Sequence, residues 1–171
     1  MTEIRLVLVE RDPIFRLGLQ TLIEEAGQSI IVSTYHNLEE LEVTLETGCQ
    51  EVDVMVIGDS DLGALELPEW LDTYQEMCGN NRIIVVSWRL TWSYIYRVLG
   101  SGVCGYIHRG EVWENLVTAI ETVVKSETKV LSSSAMNVMS LMPQNVNTKR
   151  LSAKHLDLLN LLADGYTLGK C

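Results

Sequence analysis

Polar and charged residues follow several short apolar runs of this sequence. Residues 54–57 are uninterrupted apolar side chains, and Gly58 and Asp59 come directly after them. Such a run is too short for a buried helix and is typical of a central parallel strand covered on both faces. Parallel sheets bind ligands and carry out chemistry at the carboxyl ends of their strands. The residues that follow each run are therefore the first candidates for a functional site.

Four more residues stand at comparable positions along the chain. Glu10 and Arg11 follow the run 4–9, Ser87 ends the run 82–87, and Arg109 follows the run 103–108. Because the carboxyl ends of parallel strands meet at one edge of a sheet, we expect these side chains to lie near Gly58 and Asp59.

Helical patterns separate the strands and predict the fold that positions these residues. Asp12 is expected to cap the first helix with Pro13 at its first position, and Asn37 is expected to cap the second. Further helices are predicted at 68–77, 90–99 and 111–125. Five β–α units indicate an α/β domain with a doubly wound, five-stranded parallel sheet over residues 1–127. Residues 128–150 are predicted to be a helical linker with a short helix near 134–142, and Ser152 is expected to cap a last helix within 151–171.

The charges are unevenly distributed along the chain. The formal net charge is -10, composed of -13 for residues 1–127 and +3 for residues 128–171. An acidic domain repels nucleic acid, so a contact with DNA is expected only from the carboxyl-terminal segment. The four cysteines fit no zinc or disulfide spacing, and we expect reduced thiols in a cytoplasmic protein without a membrane span.

Three motifs carry a resemblance to a known family. Residues 9–13 (VERDP) and 15–19 (FRLGL) surround the first helix start, and Gly102 is followed by Gly105-Tyr106. Together they resemble the receiver domain of two-component response regulators, in the subclass with a LuxR-type helix-turn-helix (NarL/FixJ-like). Residues 151–165 resemble the first helix of that output domain.

The resemblance implies a phosphorylation pocket that this chain has altered. A working receiver has two acids after strand one, an acceptor aspartate ending strand three, a Ser/Thr ending strand four and a lysine ending strand five. Oxygen ligands there hold Mg²⁺, and the cations neutralise the transferred phosphoryl group. Arg11 replaces the second acid, Gly58 the acceptor, and Arg109 the lysine. Glu10 keeps the first acid in a longer form, and the residues that match the pattern are Ser87 and the switch aromatic Tyr106.

Asp59 is an alternative acceptor, displaced by one residue. A shift of one residue along a strand turns the side chain to the opposite face of the sheet. We therefore favour a solvated loop acid, or a partner for an arginine, over an acceptor. Glu10 is expected to form an ion pair with Arg11.

These departures predict a degenerate receiver, or pseudo-receiver, that acts in signalling or transcription regulation without phosphorylation. We expect no catalytic residue, no metal site and no cofactor. One alternative is a protein–protein adaptor that does not bind DNA. Another is a sensor in which Arg11, Ser87 and Arg109 hold an anion in the vacated pocket.

The expected partner surface is the face formed by helix four, strand five and helix five. Helical spacing turns Trp92, Ile95 and Leu99 inward, so the predicted contact residues are Tyr94, Arg97, Tyr106 and Trp113. In the resembled family this face makes dimers and passes on the signal. We expect a homodimer or a protein partner there, and DNA binding only if the helix-turn-helix is completed beyond residue 171.

Overall fold

A computed structural model describes residues 4–26, 30–45, 52–60, 62–63, 66–78, 82–126 and 128–141. The chain divides into two compact units, Met1–Ser140 and Leu141–Cys171. The described residues belong almost entirely to the first unit. The predicted helix after Ser152 lies outside them.

The first unit is built from alternating strands and helices, as the apolar runs predict. The strands are β1 (Ile4–Val9), β2 (Ile30–Tyr35), β3 (Val54–Gly58), β4 (Arg82–Ser87), β5 (Gly105–His108) and β6 (Val130–Leu131). The helices are α1 (Pro13–Glu25), α2 (Leu38–Leu45), α3 (Glu66–Cys78), α4 (Trp92–Gly100), α5 (Val112–Lys125) and α6 (Ser133–Ser140). A short 3₁₀ turn, Arg109–Glu111, precedes α5.

Capping residues explain several of these boundaries. The Asp12 carboxylate accepts hydrogen bonds from the backbone N–H groups of Ile14 and Phe15, and it thereby begins α1. The Asn37 side chain accepts from the N–H of Glu40 at the start of α2. Gly102, just after α4, has a φ of 79°. This left-handed conformation favours glycine and is typical of the end of a helix.

All strand pairs are parallel, in the order β2-β1-β3-β4-β5-β6. The fold class is the predicted one, but the sheet has six strands where the sequence predicts five. The sixth strand, β6, pairs Val130 with Gly105 and Leu131 with Tyr106 at the edge of β5.

Two apolar layers cover the sheet. Helices α2, α3, α4 and α6 pack on one face, and α1 and α5 pack on the other. The central residues of β3, from Val54 to Ile57, are fully buried between these layers. This burial fits the prediction that 54–57 form a central strand.

Two further predictions concern thiols and membranes. Cys78 is disulfide-bonded, so the expectation of reduced thiols is wrong there. Sequence spacing alone does not reveal which cysteines the turns bring together. Cys104 is a free thiol. Within the described ranges, no helix is long and apolar enough to cross a membrane.

Candidate functional site

The residues of the predicted phosphorylation pocket lie at the carboxyl edge of the sheet, and four of them are buried. The exposed fraction is 0% for Glu10, 3% for Asp59, 0% for Ser87 and 6% for Arg109. Buried charges are stable only when they are paired or hydrogen-bonded. The structure satisfies them in two separate clusters.

The first, which we call the Glu10 cluster, is centred on an ion pair across the sheet edge. Arg109 Nη1 lies 2.9 Å from Glu10 Oε2, and Nη2 donates to Oε1 at 3.4 Å. Arg109 also donates to the Ser60 hydroxyl, and its Nη2 is 3.9 Å from Asp12 Oδ2. The guanidinium Cζ lies 3.6 Å from the ring centroid of Phe15. Glu10 therefore pairs with Arg109, and the predicted ion pair with Arg11 is wrong.

Glycine at position 58 is required by the Glu10 carboxylate. A Cβ placed on Gly58 would overlap Glu10 Oε2 and lie 2.9 Å from its Cδ. The carboxylate thus fills the space that a side chain at position 58 would enter. Its other oxygen, Oε1, accepts from the N–H of Asp12 at 2.9 Å, which holds it in place.

The second, which we call the Asp59 cluster, lies at the start of α4. The hydroxyl of Ser87 donates to Asp59 Oδ2 at 2.6 Å, and the phenol of Tyr94 donates to the same oxygen at 2.7 Å. Arg89 Nη1 lies 3.3 Å from it, and the Arg89 guanidinium also covers the ring of Tyr94. Asp59 is thus a partner of an arginine, as one prediction has it, but it is buried and not solvated.

Tyr106 is connected to this cluster through the backbone. Its phenol donates to the carbonyl oxygen of Arg89 at 2.6 Å, and its ring contacts Tyr94 edge-to-face at 6.3 Å. Burial, together with the nearby Asp59 carboxylate, raises the pKa of both phenols far above the usual range. Both tyrosines consequently remain protonated hydrogen-bond donors at physiological pH.

Arg11 lies apart from both clusters, at the rim of a cavity of about 320 Å³. The cavity lies over the ends of β1, β2 and β3, where the strand order of the sheet reverses. Gly58, His36 and Glu66 also line it, whereas Ser87 and Arg109 do not. Of the three residues proposed to hold an anion, only Arg11 therefore lines this cavity.

The structure corrects the predicted partner surface. Tyr94 is 4% exposed and Tyr106 is 0% exposed, so neither is available to a partner. Tyr94 turns inward because its hydroxyl reaches Asp59. The edge of β5 is occupied by β6, and α6 packs on α4 and β5. Arg97 is partly buried, and Trp113 is 48% exposed but contacts Phe15 of α1.

Sequence reasoning missed two contributors to the site. Arg89 joins the Asp59 cluster, and Ser60 joins the Glu10 cluster. Ser60 and Arg89 each lie within two residues of a predicted site residue, and this closeness in sequence is the only signal that could have identified them. Among the described residues, no three His, Cys, Asp or Glu side chains are grouped to hold a metal ion.

Comparisons with known proteins extend the resemblance over nearly the whole chain, although no family model matches. The chain is 24% identical over 166 residues to the probable transcriptional regulatory protein SgaR of Hyphomicrobium methylovorum, covering 97% of this chain and 75% of SgaR. It is 26% identical over 176 residues to the oxygen regulatory protein NreC of Staphylococcus aureus, covering 95% and 78%.

Solved structures agree with the fold. The response regulator RcsB of Salmonella typhimurium matches with a TM-score of 0.73 and 18% identity, over 98% of this chain and 80% of that one. RcsB structures that match include one bound to DNA and one of two dimers on two parallel DNAs. The predicted resemblance is confirmed: the chain is similar over most of its length to bacterial regulatory proteins, and its first unit has the receiver fold of the solved response regulators.

Proposed function

We propose that this protein is a pseudo-receiver, which acts in signal transduction or transcription regulation through protein contacts and without phosphorylation of an aspartate. SgaR is a probable transcriptional regulatory protein, NreC is an oxygen regulatory protein, and RcsB is a two-component response regulator. The proposal adds that the phosphorylation step has been lost here while the receiver fold is kept.

The observation that carries the proposal is the position of the Glu10 carboxylate. It fills the space beside Gly58, where the resembled family has its acceptor aspartate. It is also bound by Arg109, the residue in place of the family's lysine. An acceptor and a phosphoryl group would need that same space, and breaking a buried ion pair costs about 3 kcal/mol or more.

Arg11 adds an electrostatic argument. A guanidinium stays protonated in proteins, so it places a permanent cation where the family has a metal-binding acid. Arg11 lines the same cavity as Gly58, and charges of the same sign repel each other there. Binding of Mg²⁺ is therefore disfavoured beside Arg11.

The contact surface that we propose is an apolar patch on α1 and α5. This α1–α5 patch consists of Ile14 (84% exposed), Leu17 (65%) and Trp113 (48%). Trp113 packs over Gly18, which joins the two helices into one surface. Exposed side chains of this size on adjoining helices are typical of interaction sites. RcsB forms dimers, and we propose a second copy of this chain as the occupant of the patch.

Contact with DNA is a further part of the proposal. RcsB binds DNA, and residues 151–165 of this chain resemble the first helix of a LuxR-type output domain. Base readout by a helix-turn-helix requires a second helix in the major groove. We therefore propose DNA binding on the condition that a recognition helix follows the helix predicted within residues 151–165.

A thermal shift experiment tests the loss of the phosphate site. Beryllofluoride with Mg²⁺ imitates a phosphoryl group on an aspartate, and a ligand at about 100 times its Kd stabilises the folded state by about 2.7 kcal/mol. We expect the melting temperature of the full chain to stay unchanged when both are added. A rise that the Asp59→Asn variant loses would contradict the proposal and would identify Asp59 as an acceptor.

A further inference from the structure

The side chain of Asp59 gathers three donors on a single buried oxygen. Ser87, Tyr94 and Arg89 all contact Oδ2, at 2.6, 2.7 and 3.3 Å. Hydrogen bonds to an ionised acceptor are about twice as strong as neutral ones. Asp59 is therefore the central acceptor of the segment that connects β4 to α4.

Further hydrogen bonds connect the donors of Asp59 to the backbone of the same segment. Ser87 Oγ, which donates to Asp59, accepts in turn from the N–H of Arg89 at 2.9 Å. Arg89 Nη2 donates to the carbonyl of Leu62 at 2.6 Å. The carbonyl of Arg89 accepts the phenol of Tyr106. The position of Tyr106 is thus tied to Asp59 through residues 87–89.

The chemistry of this arrangement parallels what a phosphoryl group does. In the resembled family, phosphorylation moves the strand-four Ser/Thr and the strand-five aromatic together. Here a carboxylate of the chain itself already binds the corresponding hydroxyl, Ser87, and Tyr106 is fully buried. Arg109, the counterpart of the family's lysine, is satisfied separately by Glu10.

We propose that Asp59 is an internal substitute for the phosphoryl group, a latch that holds Ser87, Arg89 and Tyr94 and thereby keeps Tyr106 buried in one arrangement. The inference rests on the proposed function, because a phosphoryl group at position 58 would compete for Ser87. Asp59 is a positioning residue, and it acts on Tyr106 through the backbone of Arg89.

Removal of the carboxylate leaves its donors in place, and this permits a test by chemical rescue. In the Asp59→Ala variant, Ser87, Arg89 and Tyr94 surround the space of the missing carboxylate. Sodium formate supplies a carboxylate of suitable size, and sodium chloride at equal ionic strength is the reference. The control is Asp53→Ala, which removes a half-exposed carboxylate that accepts from the N–H of Arg5 at 2.8 Å.

The readouts, measured on the full chain, are hydrogen exchange of residues 87–91 and modification of Tyr106 by an acylating reagent, mapped by mass spectrometry. We expect Asp59→Ala to raise both by about tenfold, since opening of this segment no longer breaks bonds to the carboxylate. Formate should reverse most of that increase and chloride should not. Asp53→Ala should leave both readouts at the wild-type level.

Two results would overturn the latch. One is an Asp59→Ala chain with wild-type exchange at 87–91 and an unreactive Tyr106. The other is an increase that formate and chloride affect equally, which would assign Asp59 a role in general stability alone. If Asp59→Ala does not fold, the same readouts on Tyr94→Phe and Ser87→Ala decide, because each removes one donor. Unchanged exchange in both would reject the proposal.

The experiment contains no phosphate, Mg²⁺ or phosphate analogue. Its failure would therefore leave the pseudo-receiver proposal standing. In contrast, a rise in the melting temperature of the wild type with beryllofluoride and Mg²⁺ would reject the pseudo-receiver proposal, whatever the state of Tyr106.

Discussion

At the scale of single residues, Gly58 and Glu10 are coupled, because the Glu10 carboxylate occupies the space that a side chain at position 58 would need. We expect Gly58→Ala to destabilise the protein by about 1–3 kcal/mol, since the new methyl group displaces a carboxylate held by Arg109 and Asp12. In a Glu10→Ala background the same substitution should cost much less. Denaturant unfolding of the four chains measures the coupling as a double-mutant cycle.

The control for this cycle is Gly100→Ala, because a Cβ at Gly100 would have nothing within 4 Å. Its effect should be small and independent of Glu10. Equal costs of Gly58→Ala in both backgrounds would mean that Glu10 does not occupy the position 58 space in solution.

At the scale of elements, α6 is joined to the 3₁₀ turn before α5 by one carboxylate. Glu111 accepts from the backbone N–H of Ser134 at 3.2 Å and from its hydroxyl at 3.0 Å, at the first turn of α6. Nearby, the Ser132 hydroxyl accepts from the N–H of His108 at 2.9 Å. Helix α6 is thus capped by a residue of the 3₁₀ turn that follows β5.

This cap predicts a pH dependence. The hydrogen bond from Ser132 lowers the pKa of Glu111 below its usual value of 4.5, and the hydrogen bonds from Ser134 each lower it by a smaller amount. A carboxyl group with a lowered folded pKa stabilises the fold fully above its unfolded pKa, and this contribution is lost as the pH falls through the folded pKa. We expect amide exchange in α6, corrected for its intrinsic rate, to be constant between pH 6 and 8 (roughly the range above the unfolded pKa) and to rise below about pH 4.5.

The Glu111→Gln variant should abolish that acid-dependent rise and weaken the capping of α6 by about 1 kcal/mol at neutral pH. Glu114→Gln, an exposed substitution in the first turn of α5, is the matched control. If the rise at low pH persists in Glu111→Gln, another group is responsible for it.

Most elements were predictable from sequence, and the exceptions have physical causes. The runs 4–9 and 82–87 match β1 and β4 because apolar strands of this length give a clear signal. The two-residue strand β6 has no periodicity to detect, since only its pairing with β5 defines it.

The site was predictable in its location and not in its pairing. The strand ends placed Glu10, Asp59 and Ser87 at one edge of the sheet, but sequence order alone assigned Glu10 to the neighbouring Arg11. The actual partner, Arg109, comes from the other side of β3 and β4. Tyr94 was misplaced for a similar reason: helical spacing does not reveal a hydrogen bond to an acid 35 residues away.

At the scale of the whole molecule, the α1–α5 patch is expected to make a homodimer. Leu17→Glu puts a charge at its centre, and we expect the variant to lose about 2 kcal/mol or more of association free energy and to sediment as a monomer. Val43→Glu changes a similarly exposed apolar residue, 66% exposed on α2, and should sediment like the wild type. A monomeric wild type, or equal sedimentation of all three chains, would place the contact elsewhere.

The central claim is that this receiver fold does not take up a phosphoryl group, and the intact mass of the full chain tests it most directly. The chain is incubated with Mg²⁺ and a small phosphodonor, beside the Asp59→Ala variant. Because Glu10 occupies the position 58 space and Asp59 is bound by its three donors, we predict that both masses stay unchanged. An increase of about 80 Da in the wild type, the mass of one phosphoryl group, that is absent from Asp59→Ala would contradict the account.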